Sequence, residues 1–173
     1  HAIETVWVSI IVFAGQAKTL VPLQEIVSFY PPKFPIGGGT SLSKGLGHLM
    51  FELRKNTVKT TYEQKGDWKP LVFIMTDGIP TDDWQSGLNE FKKSKVAFTV
   101  ACAAGSGADA NILKQITDNV VSLDTADSAS IGKFFQWVTA SIGVSSTKVE
   151  DSGKEVTGLN EFPPPPAELK IVV

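Results

Sequence analysis

The sequence predicts an α/β fold: a Rossmann-like, mostly parallel sheet with one antiparallel edge strand and helices on both faces. Three observations carry that prediction. Short apolar runs recur at 5–13, 71–75, 96–103 and 120–123. Between most of them lie segments whose apolar residues repeat at helical spacing, and turns rich in Gly, Asp or Ser separate the two kinds. Strands alternating with helices at this spacing make βαβ units, and such units assemble as a parallel sheet covered by helices.

Thr5 to Phe13 is β-branched and aromatic almost throughout and reads as a buried strand. Ala14-Gly15-Gln16 turns the chain into Lys18 to Leu23, where Pro22 removes a ladder donor. That segment is expected as an edge strand, paired antiparallel with the first at one margin of the sheet. Pro31, Pro32, Pro35 and Gly37 to Gly39 make a long loop. From Ser41, the spacing of Leu42, Leu46, Leu49, Met50 and Leu53 predicts a helix to about Asn56. Residues 57–69 are polar and charged, an exposed insertion before the strand Leu71 to Met75.

Asp82 and Asp83 are expected to cap a helix starting near Trp84, with Leu88 and Phe91 on its inner face. Lys92, Lys93 and Lys95 supply the charge that its carboxyl end prefers. Val96 to Ala103 is the next strand, Asp109 to Ile116 a helix and Val120 to Leu123 the last strand. Asp127 or Ser128 caps a final helix through about Ile142, with Ile131, Phe134, Phe135 and Val138 as its core stripe. Residues 1–143 are thus the expected domain. Apolar density then falls, and 144–173, with its run Pro163 to Pro166, is expected as a flexible proline-containing tail.

Composition narrows the function. The 173 residues carry a net charge of -2 with acids and bases interspersed, and no basic block exists to neutralise a phosphate backbone. Nucleic acid is not an expected partner. No apolar stretch reaches the roughly 18 residues that a membrane span needs, so no membrane partner is expected and the chain reads as soluble and unexported. Cys102, the one cysteine, sits among Val100, Ala101 and Ala103 and reads as a buried, inert thiol. His48 has no second histidine at ligand spacing and reads as a surface or satisfied residue. Gly37 to Gly39 lacks the Lys-Ser/Thr of a phosphate loop.

The candidate chemistry lies at two loops. The apolar run 71–75 opens onto Thr76-Asp77-Gly78, which sets a carboxylate at the end of a strand where open α/β sheets bind ligands. Upstream, Gly37-Gly38-Gly39-Thr40-Ser41-Leu42 is a glycine loop entering a helix. The Thr40 hydroxyl could meet that carboxylate over one hard cation. Each residue has a plainer role available: Asp77 bonded within its own turn, Thr40 as a helix N-cap.

These residues resemble a von Willebrand factor A (vWA) domain. The resemblance implies a metal-ion-dependent adhesion site (MIDAS) on three loops: an Asp-x-Ser-x-Ser motif, a threonine and a Thr/Ser-Asp-Gly aspartate. Thr40 and Asp77 match the second and third, whereas no Asp-x-Ser-x-Ser occurs in the chain. The fold's first strand–helix unit is therefore expected to be missing here. Residues upstream of His1 are its expected source, ahead of a strand-exchanged oligomer or closure of the gap by the hairpin. Implied for the intact site are Mg2+ (or Mn2+ or Ca2+) and an acidic residue from a protein partner, with weak or no metal affinity in this chain.

Two further stretches, Thr60 to Pro70 and Thr76 to Trp84, are similar to the TerY type of bacterial tellurium-resistance proteins. That similarity implies a non-catalytic interaction module of a cytoplasmic stress response, with phosphatase and kinase partners encoded alongside. Two alternatives stand beside it. One is a metal-dependent phosphoryl-transfer or hydrolytic enzyme using Asp77, disfavoured because neither loop carries a Lys, Arg or His. The other is a metal-free scaffold that binds through the tail.

Overall fold

The computed structural model describes residues 6–30, 32, 39–94 and 97–173. Thr5, Pro31, Pro35, Gly37, Gly38, Lys95 and Val96, which figure in the sequence expectations, lie outside the described residues. The chain divides into two compact units, His1–Pro70 with Pro80–Val96 and Leu71–Ile79 with Ala97–Val173.

In the first unit, β1 (Trp7–Phe13) and β2 (Ala17–Glu25) pair antiparallel around the turn at 14–16, from Phe13 opposite Ala17 to Trp7 opposite Glu25. The register shifts twice, and each time the extra residue belongs to β2. Pro22 falls within the first shift, where the ladder asks for no donor. The Ser9 hydroxyl donates to Val21 O there at 2.8 Å. The hairpin forms a two-stranded sheet of its own, not the margin of a larger one. With a ladder partner on one side only, β1 has no fully buried residue, and Trp7 is 55% exposed. The expected buried strand is half-buried.

Helix α1 (Leu42–Asn56) packs on this hairpin, burying Leu42, Leu46 and Met50, and ends where its periodicity predicts. Helix α2 (Gln85–Ser94) packs on α1 through Leu88 and Phe91. The insertion between α1 and the next strand folds back on itself. Asp67 N donates to Val58 O, Val58 N donates to Asp67 Oδ2, and Thr61 N donates to Gln64 O, all within 2.8 Å. Tyr62 at its tip is fully exposed, and Lys65 Nζ stands 4.3 Å over the Trp68 ring.

In the second unit, β3 (Leu71–Thr76), β4 (Phe98–Ala104), β5 (Val120–Leu123) and β6 (Leu169–Ile171) form one sheet in that order. The first two pairings are parallel and the last is antiparallel. The antiparallel edge strand predicted for the sheet exists, but it is β6, not the proline hairpin. Among the described residues no strand pairs with β3 on the side away from β4.

Helices α3 (Ala110–Lys114) and α4 (Ser128–Ser152) pack on this sheet. Alternate residues Val100, Cys102 and Ala104 of β4, with Val121 and Leu123 of β5, meet Phe134 and Trp137 of α4. Phe162 completes the cluster, edge-on to Phe98 at 5.6 Å and to Trp137 at 5.8 Å, and stacked on Phe73 at 6.3 Å. Burying such a ring stabilises by roughly 1.5–3 kcal/mol, before any gain from aromatic pairing.

Two expectations are corrected here. Helix α4 does not stop near Ile142 but runs to Ser152, where Gly153 at φ 65° closes it by donating N–H to Val149 O. Ser141 and Ser145 are polar in composition yet buried, and Ser141 Oγ returns its hydrogen bond to Trp137 O at 2.7 Å. A hydroxyl satisfied by its own helix can face a core. Nor is 144–173 a flexible tail. Val156, Phe162 and Leu169 are core residues, Trp137 Nε1 donates to Pro163 O at 2.9 Å, and β6 extends the sheet. Lys148 bonds both Glu155 O and the Glu161 carboxylate, which also accepts from Thr157 N and Oγ1. The Lys148 ammonium, followed by the Thr157 donors, holds the Glu161 carboxyl down to about 2.

Candidate functional site

Asp77 and Thr40 belong to different units, and each is placed by a distinct local device. Asp77 follows Thr76, the last residue of β3, at the carboxyl end of a parallel strand. Its turn is closed by Thr76, whose hydroxyl accepts from Gly78 N at 3.3 Å and lies 3.4 Å from Gly78 O. The plainer role for Asp77, bonding its own turn, is therefore taken by its neighbour. The Asp77 side chain is exposed, and among the described residues it accepts no hydrogen bond. Its carbonyl lies close against the turn after β4. A Cβ on Gly107 would stand 2.8 Å from Asp77 O, so only glycine lets the turn after β4 come this close.

Thr40 sits one residue before the N-cap of α1, which is Ser41. Capping does not consume its hydroxyl, and that hydroxyl has no hydrogen-bond partner among the described residues. Its backbone, in contrast, is fully engaged. Thr40 N donates to Thr81 Oγ1 at 3.2 Å, and Thr40 O accepts from Thr81 N at 2.9 Å and from Leu42 N at 3.1 Å. Ser41 N donates to Ala14 O at 2.7 Å, and Lys44 Nζ donates to Gly15 O at 3.0 Å.

Asp82 holds a surprise. It was expected to cap its own helix, yet its Oδ2 accepts from Ser43 N at 3.0 Å, in the first turn of α1. No local pattern could have shown this, because the partners are 39 residues apart. Asp127 behaves as read and caps α4 by accepting from Ser130 N at 2.7 Å. His48 is satisfied by Thr19 Oγ1 at 2.7 Å. Cys102 is fully buried, and burial pushes its thiol up to about 12, far from the thiolate needed for redox or metal chemistry.

Toward a hard cation, Asp77 offers a carboxylate and Thr40 a hydroxyl, each unpartnered among the described residues. Those donor types suit Mg2+, which keeps several waters and takes few protein oxygens. Among the described residues, no three or more His, Cys, Asp or Glu gather into a metal-holding group. Nor is any helix of the described residues long and apolar enough to cross a membrane.

No protein-family model matches the sequence, and no curated protein matches it either. Solved structures do. The chain is similar to proximal thread matrix protein 1 of the mussel byssus, at 21% identity over 79% of this chain with a TM-score of 0.55. A second crystal form of that protein gives 20% identity, 78% coverage and a TM-score of 0.53. A third structure, described as having a zinc occupied MIDAS motif, gives 19%, 78% and 0.53. The chain spans only 35–36% of the length of those solved chains. At such identity the likeness speaks for architecture alone. With the mixed sheet and its helices, it shows that this chain has the vWA-type α/β fold.

Proposed function

We propose that this chain is a non-catalytic protein-interaction module whose intact form uses a divalent cation, held in part by Asp77 and Thr40, to engage an acidic residue of a partner. The observation that carries this reading is the free Asp77 carboxylate at the carboxyl end of β3, its turn already closed by Thr76. A cation bound there would supply an open coordination position for an incoming carboxylate. Asp77 would provide the anionic ligand and Thr40 a neutral one. The zinc occupied MIDAS motif of a protein of like fold supports a metal in this role. The similarity of 60–70 and 76–84 to TerY-type proteins supports a cytoplasmic stress-response setting, with a phosphatase and a kinase as the partners to try first.

The rival readings gain nothing from the geometry. A scaffold that binds through its tail needs a free tail, and three of the four prolines at 163–166 are half-buried. For an enzyme, the basic group nearest Thr40 in sequence, Lys44, is spent on Gly15 O.

The test is Mn2+ titration of the 15N-labelled chain. Paramagnetic broadening centred on the amides around Asp77 and Thr40, with a dissociation constant of ~1 mM as for weak oxygen sites, is the expected result. It should vanish in Asp77→Ala. Broadening elsewhere only, or phosphoester turnover that Asp77→Ala abolishes, would overturn the proposal.

A further inference from the structure

We propose that Asp82 is a positioning residue: by capping α1 from a distant segment, it and Thr81 set where the Thr40 hydroxyl points. The inference rests on the reading of Thr40 as a ligand. Helix α1 needs an outside acceptor. The first N–H groups of a helix have no intrahelical partner, and the N-cap residue Ser41 makes no side-chain cap bond. Its hydroxyl donates instead to Gly15 O at 3.3 Å. The Asp82 carboxylate fills the role at Ser43 N, and its negative charge suits the positive end of the helix.

Thr81, next to Asp82, pairs with Thr40 through both of Thr40's backbone groups. Residues 40 and 43 are therefore held by 81 and 82 like two rungs. With the Thr40 peptide fixed, the direction of its Cα–Cβ bond is fixed too, leaving the χ1 torsion, whose staggered wells depend on the backbone, to set the hydroxyl's direction. Asp82 Oδ1 is buried without a partner among the described residues. Burying an unpaired oxygen is costly, and a residue serving only solubility would not carry that cost. Thr81 and Asp82 also follow Asp77 by four and five residues in the sequence. One short segment thus carries one candidate ligand and the anchors of the other.

The experiment is solution NMR on the full chain, reading Ser43 amide exchange and the three-bond couplings that report the Thr40 χ1 rotamer. In Asp82→Ala, Ser43 protection should fall about tenfold, and the Thr40 couplings should move toward rotamer-averaged values. Asp82→Asn keeps an acceptor and should retain most of both. Thr81→Val, close in shape, should disturb the Thr40 couplings while sparing Ser43, and it carries the test if Asp82→Ala unfolds. Thr40 couplings unchanged in both Asp82→Ala and Thr81→Val would overturn the proposal and leave Asp82 a helix cap alone. Mn2+ broadening is read separately. Its absence, with Thr40 couplings that respond to Asp82, would sink the metal reading and leave the positioning intact.

Discussion

Strands β1 and β4 are each seven residues long and similarly apolar, yet they end in opposite environments. In β4 every residue from Thr99 to Ala104 is buried, whereas in β1 none is. The difference is neighbours. β4 has a ladder partner on each side and Phe134, Trp137 and Phe162 over one face, while β1 pairs with β2 alone. Hydrophobicity fixes what a strand can bury, and the elements beside it decide how much of that is realised.

The sharpest way to break this comparison is a pair of truncations followed by urea unfolding. Phe162→Ala should cost about 3–5 kcal/mol, because a fully packed ring leaves a cavity. Ile11→Ala, in half-buried β1, should cost about 1 kcal/mol, since less surface returns to water. Equal costs would mean that β1 is covered in solution by something its ladder does not show.

A smaller effect sharpens the picture of the carboxyl-terminal segment. The Glu161 carboxyl is lowered from 4.5 to about 2, so its stabilising contribution is complete above pH 4.5 and is lost as pH falls through about 2. The unfolding midpoint of the native chain should thus exceed that of Glu161→Gln at pH 6, with the gap closing toward pH 2. A gap independent of pH would remove the Lys148 pairing from the account. The smallest expected change is in Asp77→Ala, whose stability should stay within about 0.5 kcal/mol of the parent. A larger loss would mean that the carboxylate is structural.

Much of this fold is legible residue by residue. The Leu42, Leu46, Met50 stripe fixes α1 because a helix buries one face. Asp127 shows its cap because the bond is local, three residues long. What escapes reading is what composition disguises or distance hides. Ser145, Ser146 and Thr147 look like a loop, yet they continue α4, and the true stop is Gly153 with its left-handed conformation. Phe162 stood beside four prolines with no pattern to mark it as a core residue. At the candidate site, Asp77 could be found from a strand opening onto Thr-Asp-Gly. The tie from Asp82 to Ser43 could not, because no spacing rule links residues that meet only after folding.

The insertion 58–67 has a consequence for how this sequence can change. Its two ends are bonded to each other through Val58 and Asp67, so the chain enters and leaves at one point whatever lies between. Residues at its tip can be added, removed or exchanged with little effect on α1 or β3, since lengthening a loop whose ends are already joined costs little entropy. That makes the exposed Tyr62 tip a place where a reporter group could be carried without disturbing the bonds that close the insertion.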